Sequence, residues 1–429
     1  MSAAFRQAVS AGRHGATGRS RRRMLIRAAL LLGLAATPAA AQFRDDFDGP
    51  RGEPPRGWTF FTGDGAATMD FRNAGGQAAL SVDATRDVRG IWWALIKRDI
   101  AGDLDLARLS KPGHALRLEA RIRLNHAPRR VNLHFNTQRT TDFHSQLMEY
   151  DIPDTLWHTI SMTVADPDVR PGDHVNVQMA LMDWGLSRYR ADIDYYRADV
   201  VDAATAPPDM GEPLPYRPPV PVLSSFGDTA TVVQDGMVDL QYPEINYAGW
   251  AAVDGAGKVP VLTVSGTQLV ILRWDLRRLA GRRAAGPAVL ELTTRSLQRT
   301  RLEREEFGQV HVNEILAGDP EWQRGTVTLQ RLTAGRPLEE VINTQTIMDV
   351  DLAESDGGRT LVTLSRPVIQ RMLDGRTVGI MLRPLGAIDA SLYGLEHDAG
   401  RFAPRLYIKL SDDVGRRPST TPPAGSDRR

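Results

Sequence analysis

The sequence predicts an all-β protein built from two antiparallel β-sandwich, jelly-roll-like domains that a proline-rich linker joins. Short segments in which apolar and polar residues alternate recur along the chain, and this period of two is typical of strands with one buried face. Turn signals such as Gly75-Gly76 and Lys111-Pro112-Gly113 separate these segments. About 390 residues follow a predicted export signal, a length that suits two domains rather than one.

The predicted export signal spans residues 1–41, which contain seven arginines and no acidic residue. Ser20-Arg21-Arg22-Arg23-Met24-Leu25 fits the twin-arginine pattern, and an apolar run at 28–36 leads to a cleavage site at Pro38-Ala39-Ala40-Ala41. The run is shorter than the ~20 residues that span a bilayer. We therefore expect a periplasmic or secreted protein that begins near Gln42, although a translation start at Met24 would remove the twin arginine.

Charge and cysteine content exclude several classes of function. The whole chain carries +1 and residues 1–41 carry +7, so the mature protein carries −6. Nucleic acid is therefore not an expected partner, because phosphate binding needs a basic surface. No later apolar stretch is long enough to span a membrane. The chain has no cysteine, which excludes disulfides and thiolate metal or nucleophile sites and leaves core burial to provide stability.

The first predicted sandwich covers residues 43–203, in which alternating segments follow one another closely. Candidate strands are 67–71, 77–82, 91–98, 115–124, 130–138, 145–152, 157–164, 174–181 and 189–200. Many short strands at this spacing indicate an antiparallel sandwich.

Residues 204–225 contain seven prolines and are predicted to form an extended linker or strap, since proline is expected to keep them out of any sheet. Residues 226–410 form the second predicted sandwich, and residues 411–429 a disordered polar tail. Candidate strands of the second sandwich are 261–264, 268–274, 288–294, 310–315, 327–329, 360–364, 378–382 and 405–408. Residues 367–373 are predicted to be one or two helical turns.

The segment 130–138 carries the strongest functional signal. Its apolar positions are Val131, Leu133 and Phe135, and the alternate positions form a polar ladder of Asn132, His134, Asn136 and Gln138. Each amide offers donors and an acceptor, which suits the hydroxyl groups of a sugar. We interpret this ladder as part of a polysaccharide-binding face.

Other strands extend the same pattern. Asn176 and Gln178 alternate with apolar residues, as do Arg121 and Arg123, and all four would join the ladder if these strands share one sheet. Arg139, with Arg129 and Arg130, flanks the ladder and can grip a carboxylate, which favours a uronate-bearing glycan. Trp184, in a predicted loop, offers a ring for a sugar to stack on. The alternative is a half-exposed sheet face held by structural side-chain pairs.

Four aspartates suggest a structural calcium site. Asp46 and Asp48 open the first domain, and Asp192 and Asp194 lie near its end. Jelly-roll sandwiches often pair their first and last strands, and carboxylates brought together there suit Ca²⁺. The alternative is that these are turn-forming aspartates on solvated edges.

A polysaccharide lyase acting by β-elimination on a uronate polymer is the catalytic alternative. Asn136, Gln138 or Arg139 would neutralise the carboxylate. His134 or His144 would abstract the proton, and Tyr150 would protonate the leaving oxygen. No paired carboxylates of a hydrolase and no G-x-S-x-G, P-loop or H-E-x-x-H motif are present. A non-catalytic protein is therefore favoured over an enzyme.

Residues 43–203 resemble a family of jelly-roll carbohydrate-binding modules. The resemblance is carried by the opening F-x-D-D-F-D-G at 43–49, by Trp157 after Asp154-Thr155, and by Asp192-Ile193-Asp194-Tyr195.

Residues 226–410 are similar to the DNRLRE-type (disaggregatase-related) β-sandwich, some members of which bind alginate. The carrying stretches are 239–246, 272–276, 288–292, 322–328 and 403–406, with Trp274 where phenylalanine is expected. Both resemblances imply binding modules and leave no room for a separate catalytic domain. We therefore expect an exported polysaccharide-binding protein whose second domain adds a weak contact or supports the first. A structural envelope protein without a glycan ligand is a further alternative.

Overall fold

A computed structural model describes residues 43–62, 66–86, 92–142, 146–183, 187–214, 221–254, 257–299, 308–343 and 348–411. The predicted export signal, His144, Trp184 and all but the first residue of the predicted tail lie outside the described residues. The fold is all-β with antiparallel pairing throughout, which confirms the predicted class. No helix within the described ranges is long and apolar enough to cross a membrane.

Among its described residues, the N-terminal sandwich contains twelve strands. They are β1 Phe43–Asp45, β2 Thr59–Thr62, β3 Thr68–Asn73, β4 Ala78–Asp83, β5 Trp92–Asp99, β6 His114–Leu124, β7 Arg129–Thr137, β8 Leu147–Ile152, β9 His158–Ala165, β10 Val175–Asp183, β11 Arg188–Asp202 and β12 Pro213–Leu214. The short helix Leu106–Leu109 precedes β6, and the side chain of Asp105 caps it by accepting the Arg108 N–H.

These strands form two sheets. Sheet I has the order β3-β4-β11-β6-β9, with β1 also on β11, and sheet II has the order β12-β8-β7-β10-β5-β2. Phe43 lies opposite Ala198, so the first strand and the last long strand pair as expected. One continuous core lies between the sheets, and Phe47, Trp58, Phe71 and Tyr196 form its aromatic centre. Burying such large apolar side chains contributes most of the folding free energy of a chain without disulfides.

The proline-rich segment takes part in this sandwich, so the expectation that proline keeps it out of any sheet is wrong. Residues 207–214, here called the strap, cross from β9 to β8. Ser161 N–H donates to the Met210 carbonyl at 3.0 Å, Asp151 N–H donates to the Glu212 carbonyl at 3.0 Å, and β12 pairs with β8. Proline is tolerated there because β12 is an edge strand.

Gly211 permits this crossing. Its φ of +100° is unfavourable for other residues, and a Cβ there would lie 2.7 Å from the Tyr150 ring.

Within the ranges that the structure describes, the C-terminal region contains thirteen strands. They are β13 Asp228–Thr231, β14 Gln234–Asp239, β15 Ala251–Asp254, β16 Gly257–Pro260, β17 Leu262–Ser265, β18 Gln268–Arg273, β19 Ala288–Gln298, β20 Gln309–Ile315, β21 Met348–Val350, β22 Arg359–Leu364, β23 Gly379–Leu385, β24 Asp389–Leu392 and β25 Arg405–Ile408. Eleven of them form one curled sheet, which bends where β19 leaves β25 and β22 to pair with β24. The strands β15 and β16 pair only with each other.

The described residues of this region include two α-helices, Leu329–Leu332 and Arg366–Leu373. The second confirms the helical turns predicted at 367–373. The first shows that the strand predicted at 327–329 is wrong, because Thr328 caps a helix by accepting the Arg331 N–H at 3.1 Å. Val327 and Trp322 are buried beside it, so its apolar pattern reflects packing rather than pairing.

Candidate functional site

The predicted ladder lies on one face of sheet II, opposite the core. In the register of β7 and β10, Asn136 lies opposite Asn176 and His134 opposite Gln178. Their apolar neighbours Val131, Leu133 and Phe135 are fully buried in the core on the other side. The period of two therefore places the amides and the imidazole together, as the sequence predicts.

The ladder is a floor rather than an open surface, which corrects the expected exposure of these side chains. Asn132, His134, Asn136 and Gln178 are 4% to 8% exposed, Asn176 is half-buried, and Gln138, at the end of the ladder, is exposed. The side-chain carbonyl oxygens of Asn132 and Asn136 are buried without a hydrogen-bond partner. Such groups lose free energy relative to water unless a partner is supplied. The floor therefore contains acceptors that the described part of the protein does not satisfy.

Charged side chains border this floor. Lys97 on β5 lies opposite Gln178, and within the described ranges its ammonium makes no ion pair. Arg130 pairs with Glu149 at 3.2 Å on the other side of the ladder. Lys97 was not predicted as a site residue, although it shares a face with Leu95 at the period of two. Lys97 lies next to Gln178 because β5 pairs with β10, and the sequence does not show this pairing.

The end of the ladder is closed by a hydrogen-bonded group. The side chain of Arg139 binds Asp173 through two bonds of 2.8 and 3.1 Å, and Gln138 donates to the same carboxylate at 2.6 Å. The hydrogen bond from Arg139 is the largest of the interactions that hold the pKa of Asp173 below its usual range. Both predicted ligand-binding residues are thus already engaged with a carboxylate of the protein.

Arg121 and Arg123 do not join the ladder, so the prediction of one merged patch is wrong. Both lie on β6 and point outward from sheet I, whereas the ladder lies on sheet II. Arg121 pairs with Asp194 at 2.7 Å and Arg123 with Asp192 at 2.8 Å. The alternation of polar and apolar residues correctly predicts that these arginines point outward. Which sheet their strand joins depends on long-range strand pairing.

Trp157 covers these arginines and does not pack in the core. Its ring lies 5.2 Å from the Arg121 guanidinium carbon and 4.7 Å from that of Arg123, and the side chain is half-buried. These are cation–π distances. The predicted stacking residue Trp184 lies outside the described residues.

The lyase arrangement is contradicted for Tyr150. Tyr150 lies opposite Val131, so it points into the core, whereas His134 points away from it. The Tyr150 hydroxyl donates to the Ser161 carbonyl at 2.6 Å, and burial, with the nearby Asp209 charge, raises the pKa of this phenol well above its ordinary value. Tyr150 and His134 therefore lie on opposite faces of the sheet, so Tyr150 cannot act as the proton donor in a site that contains His134.

Three of the four aspartates predicted to bind calcium have separate arginine partners. Asp46 binds Arg44, Asp194 binds Arg121, and Asp192 binds both Arg123 and Arg190. Among the described residues no group of three or more potential ligands could hold a metal ion. The calcium site, including Asp48, therefore stays a prediction.

Among the aspartates near the start of the first domain, Asp45 makes contacts that stabilise the fold. It accepts hydrogen bonds from the Trp58 indole and from Arg98, both at 2.8 Å.

A buried ion cluster fastens the C-terminal region to the edge of sheet II. Arg371, in the helix Arg366–Leu373, pairs with Asp151 of β8 at 2.9 Å and with Glu314 of β20 at 2.8 Å. All three side chains are at least nine-tenths buried. Flanking carboxylates outweigh the desolvation of the guanidinium and raise the pKa of Arg371. Asp151 shares the ladder's face, so the second region borders that face.

Comparison with known proteins finds no matching family model and no matching curated protein. Among solved structures, a family 22 xylan-binding domain from Paenibacillus barcinonensis is similar, with 12% identity and a TM-score of 0.25 over 38% of this chain and 95% of that one. A tandem of two such domains from the same organism matches 88% of this chain and 99% of its own length, with 10% identity and a TM-score of 0.26. A family 11 carbohydrate-binding module from Clostridium thermocellum, in complex with a mixed-linked tetrasaccharide, has 14% identity and a TM-score of 0.23 over 36% of this chain and 92% of that one.

Proposed function

We propose that this is an exported, non-catalytic protein that binds an extracellular polysaccharide along the ladder face of sheet II. The observation that carries the proposal is the pair of buried amide oxygens, on Asn132 and Asn136, without a partner. They share one face with Asn176 and Gln178, so donors and acceptors are arrayed at the spacing of neighbouring strands. Sugar hydroxyls both donate and accept, and can complete such an array.

The accessible parts of this face lie at its rim. Asn176 and Lys97 are half-buried, and each borders a buried amide of the floor. A sugar bound at the rim reaches Asn132 and Asn136 only if their amides turn toward it. A turn of an amide group costs little relative to the desolvation that an unpaired carbonyl oxygen already carries. The floor therefore acts by offering acceptors once a ligand has settled between the rim residues.

An acidic glycan is the form of ligand that we favour. Lys97 has no ion pair within the described ranges, whereas Arg130 and Arg139 are paired with Glu149 and Asp173. An unpaired ammonium beside the ladder attracts a carboxylate without first breaking a bond. Lys97, rather than Arg139, is the cation expected to contact a uronate.

Affinity electrophoresis through gels that contain acidic or neutral polysaccharides tests the proposal, with absorbance near 235 nm as the check for lyase products. We expect retention without product formation. The double variant Asn132→Ala and Asn136→Ala should lose retention, and Lys97→Ala should weaken it on acidic polymers alone. Gln298→Ala, an exposed amide on β19, is the matched control and should bind like the wild type. A wild-type protein that no polysaccharide retains would favour the structural envelope alternative.

A further inference from the structure

The segment 240–253 of the C-terminal region exposes a cluster of large hydrophobic side chains. They are Leu240, Tyr242, Ile245, Trp250 and Val253, which are 41% to 76% exposed. In the rest of the described C-terminal region beyond 226, only Val233 is a comparably exposed large hydrophobic residue. These five side chains lie within fourteen consecutive residues, and a cluster of exposed large apolar side chains on a folded protein indicates a binding surface.

Three aromatic residues lie in this segment, and we call Tyr242, Tyr247 and Trp250 the aromatic platform. The rings of Tyr247 and Trp250 meet edge to face, with centroids 5.8 Å apart and planes at 71°. The Tyr247 hydroxyl donates to Asp239 at 3.0 Å, and the Trp250 indole N–H donates to the Thr263 hydroxyl at 3.2 Å. Because the polar tips of both rings are engaged, the platform offers ring carbon to a ligand.

The backbone beneath the platform is also held in place. The Asn246 side chain donates to the carbonyls of Arg324 and Val327 at 2.8 and 2.6 Å and accepts the Ala248 N–H at 3.1 Å. These bonds fasten the loop to a neighbouring segment of the chain. A surface fixed in this way loses little conformational entropy on binding, which favours a weak ligand such as a single sugar ring.

Charge around the platform restricts the ligand. Asp239 and Glu244 lie in this segment. Arg324 donates to the Ala248 carbonyl at 3.5 Å, but its charge is already paired with Asp235 and Glu396 at 2.6 and 2.8 Å. Burial raises the pKa of Tyr247 to about 12, and the hydrogen bond to Asp239 and the charge of nearby Glu244 add to the shift. A carboxylate-bearing sugar would be repelled here, whereas the C–H face of a neutral pyranose can stack on the rings.

We propose that the aromatic platform is a second sugar-binding site, which stacks a neutral pyranose unit of the polysaccharide that the ladder face binds. This inference rests on the proposed function. Two sites on one chain raise the effective concentration of the ligand at the second, so a long polysaccharide gains affinity that a short oligosaccharide does not. The ladder face would take the acidic units of the polymer and the platform its neutral units.

The test is a titration of the full chain, by calorimetry, with neutral oligosaccharides and with the polysaccharides that electrophoresis identifies. Trp250→Ala and Tyr242→Ala should each weaken binding of the neutral oligosaccharide about tenfold. Within the described ranges the Tyr242 side chain makes no polar contact, so Tyr242→Ala keeps the test valid if Trp250→Ala is unstable. Val233→Ala, equally exposed but outside the platform, is the control.

The ladder variant Asn132→Ala, Asn136→Ala separates the two proposals. If it still binds the neutral oligosaccharide, and that binding disappears when Trp250→Ala is added, the platform is supported whether or not the ladder binds. Full affinity in both platform variants, with binding lost in the ladder variant, overturns the platform and leaves the proposed function standing. Binding of no saccharide by the wild type overturns both. A dimer in sedimentation that Trp250→Ala converts to a monomer, with saccharide affinity unchanged, shows self-association and also overturns the platform.

Discussion

The N-terminal sandwich has two outward polar faces, and they differ in how their polar groups are paired. On sheet I, Arg123 and Arg121 meet Asp192 and Asp194 at 2.8 and 2.7 Å. On sheet II, the amide oxygens of Asn132 and Asn136 are buried and have no hydrogen-bond partner within the described ranges. Sheet I also buries Glu119 Oε2 and Arg197 Nε without a hydrogen bond, but these two groups are ion-paired with each other through their other atoms at 2.7 Å. Alternating polar residues therefore indicate an outward face in both sheets. Only polar groups without a partner indicate a face that can form new hydrogen bonds to a ligand.

The largest expected loss of stability comes from breaking the buried ion pairs of Arg371. Arg371→Ala removes the cation between Asp151 and Glu314 and leaves two buried carboxylates uncompensated. We expect the free energy of unfolding in urea to fall by about 3–5 kcal/mol. Arg366→Ala is the control, because its partner Glu212 is more exposed and the expected loss is below about 1 kcal/mol. Equal losses in both variants would show that the buried cluster is no stronger than a surface pair.

Glu119→Ala tests the paired face of sheet I. The Glu119 carboxylate is 2% exposed, accepts the Tyr195 hydroxyl at 2.7 Å and pairs with Arg197 at 2.7 Å. Leaving these donors without an acceptor should cost about 2–3 kcal/mol in chemical denaturation. Retention on polysaccharide should be unchanged, since this face is structural. Weaker retention with an intact fold would instead assign binding to sheet I.

Asn132→Leu tests the unpaired face of sheet II. The substitution replaces a buried amide whose oxygen lacks a partner with an apolar side chain of similar size. The free energy of unfolding should stay constant or rise by about 1 kcal/mol, while retention on polysaccharide falls. Denaturation and affinity electrophoresis on the same preparation measure both. A loss of stability above about 2 kcal/mol would mean that the amide is satisfied in solution and would remove the contrast between the two faces.

The smallest effect concerns Asp83, at the edge of sheet I. Hydrogen bonds from the Thr85 hydroxyl and N–H, with Arg188 nearby, lower the pKa of Asp83 from 3.8 to about 2. A lowered pKa stabilises the fold above pH 3.8, and this contribution is lost as the pH falls through about 2. NMR titration of the carboxyl carbon should show the low midpoint, and Thr85→Ala should raise it. A midpoint near 3.8 in the wild type would contradict the pairing on this face.

Local pattern predicted most of the N-terminal sandwich. Each of the nine candidate strands between 43 and 203 overlaps an observed strand, because alternation is a property of the strand itself. The ladder was predictable for the same reason, since Asn132, His134 and Asn136 are two residues apart. The membership of β6 in sheet I was not predictable, because pairing between distant strands leaves no mark in the local sequence.

Contacts between distant segments account for what the sequence did not show. Lys97 becomes a neighbour of Gln178 only through the pairing of β5 with β10, and Arg371 meets Asp151 across 220 positions of the chain. The short strands β2, β12 and β15 are too brief to display alternation. The helix at Leu329–Leu332 was missed because a buried Val327 resembles a strand residue, although the Thr328 cap was present as a signal.

The strap has a consequence for the behaviour of this protein at high concentration. An uncovered edge strand is a template on which another molecule can add its own strand, and such addition leads to aggregation. At β8 that position is already taken by β12, and the two-residue strand contains Pro213, which has no N–H to offer an incoming chain. The strap thus limits the addition of a foreign strand at the β8 margin of sheet II.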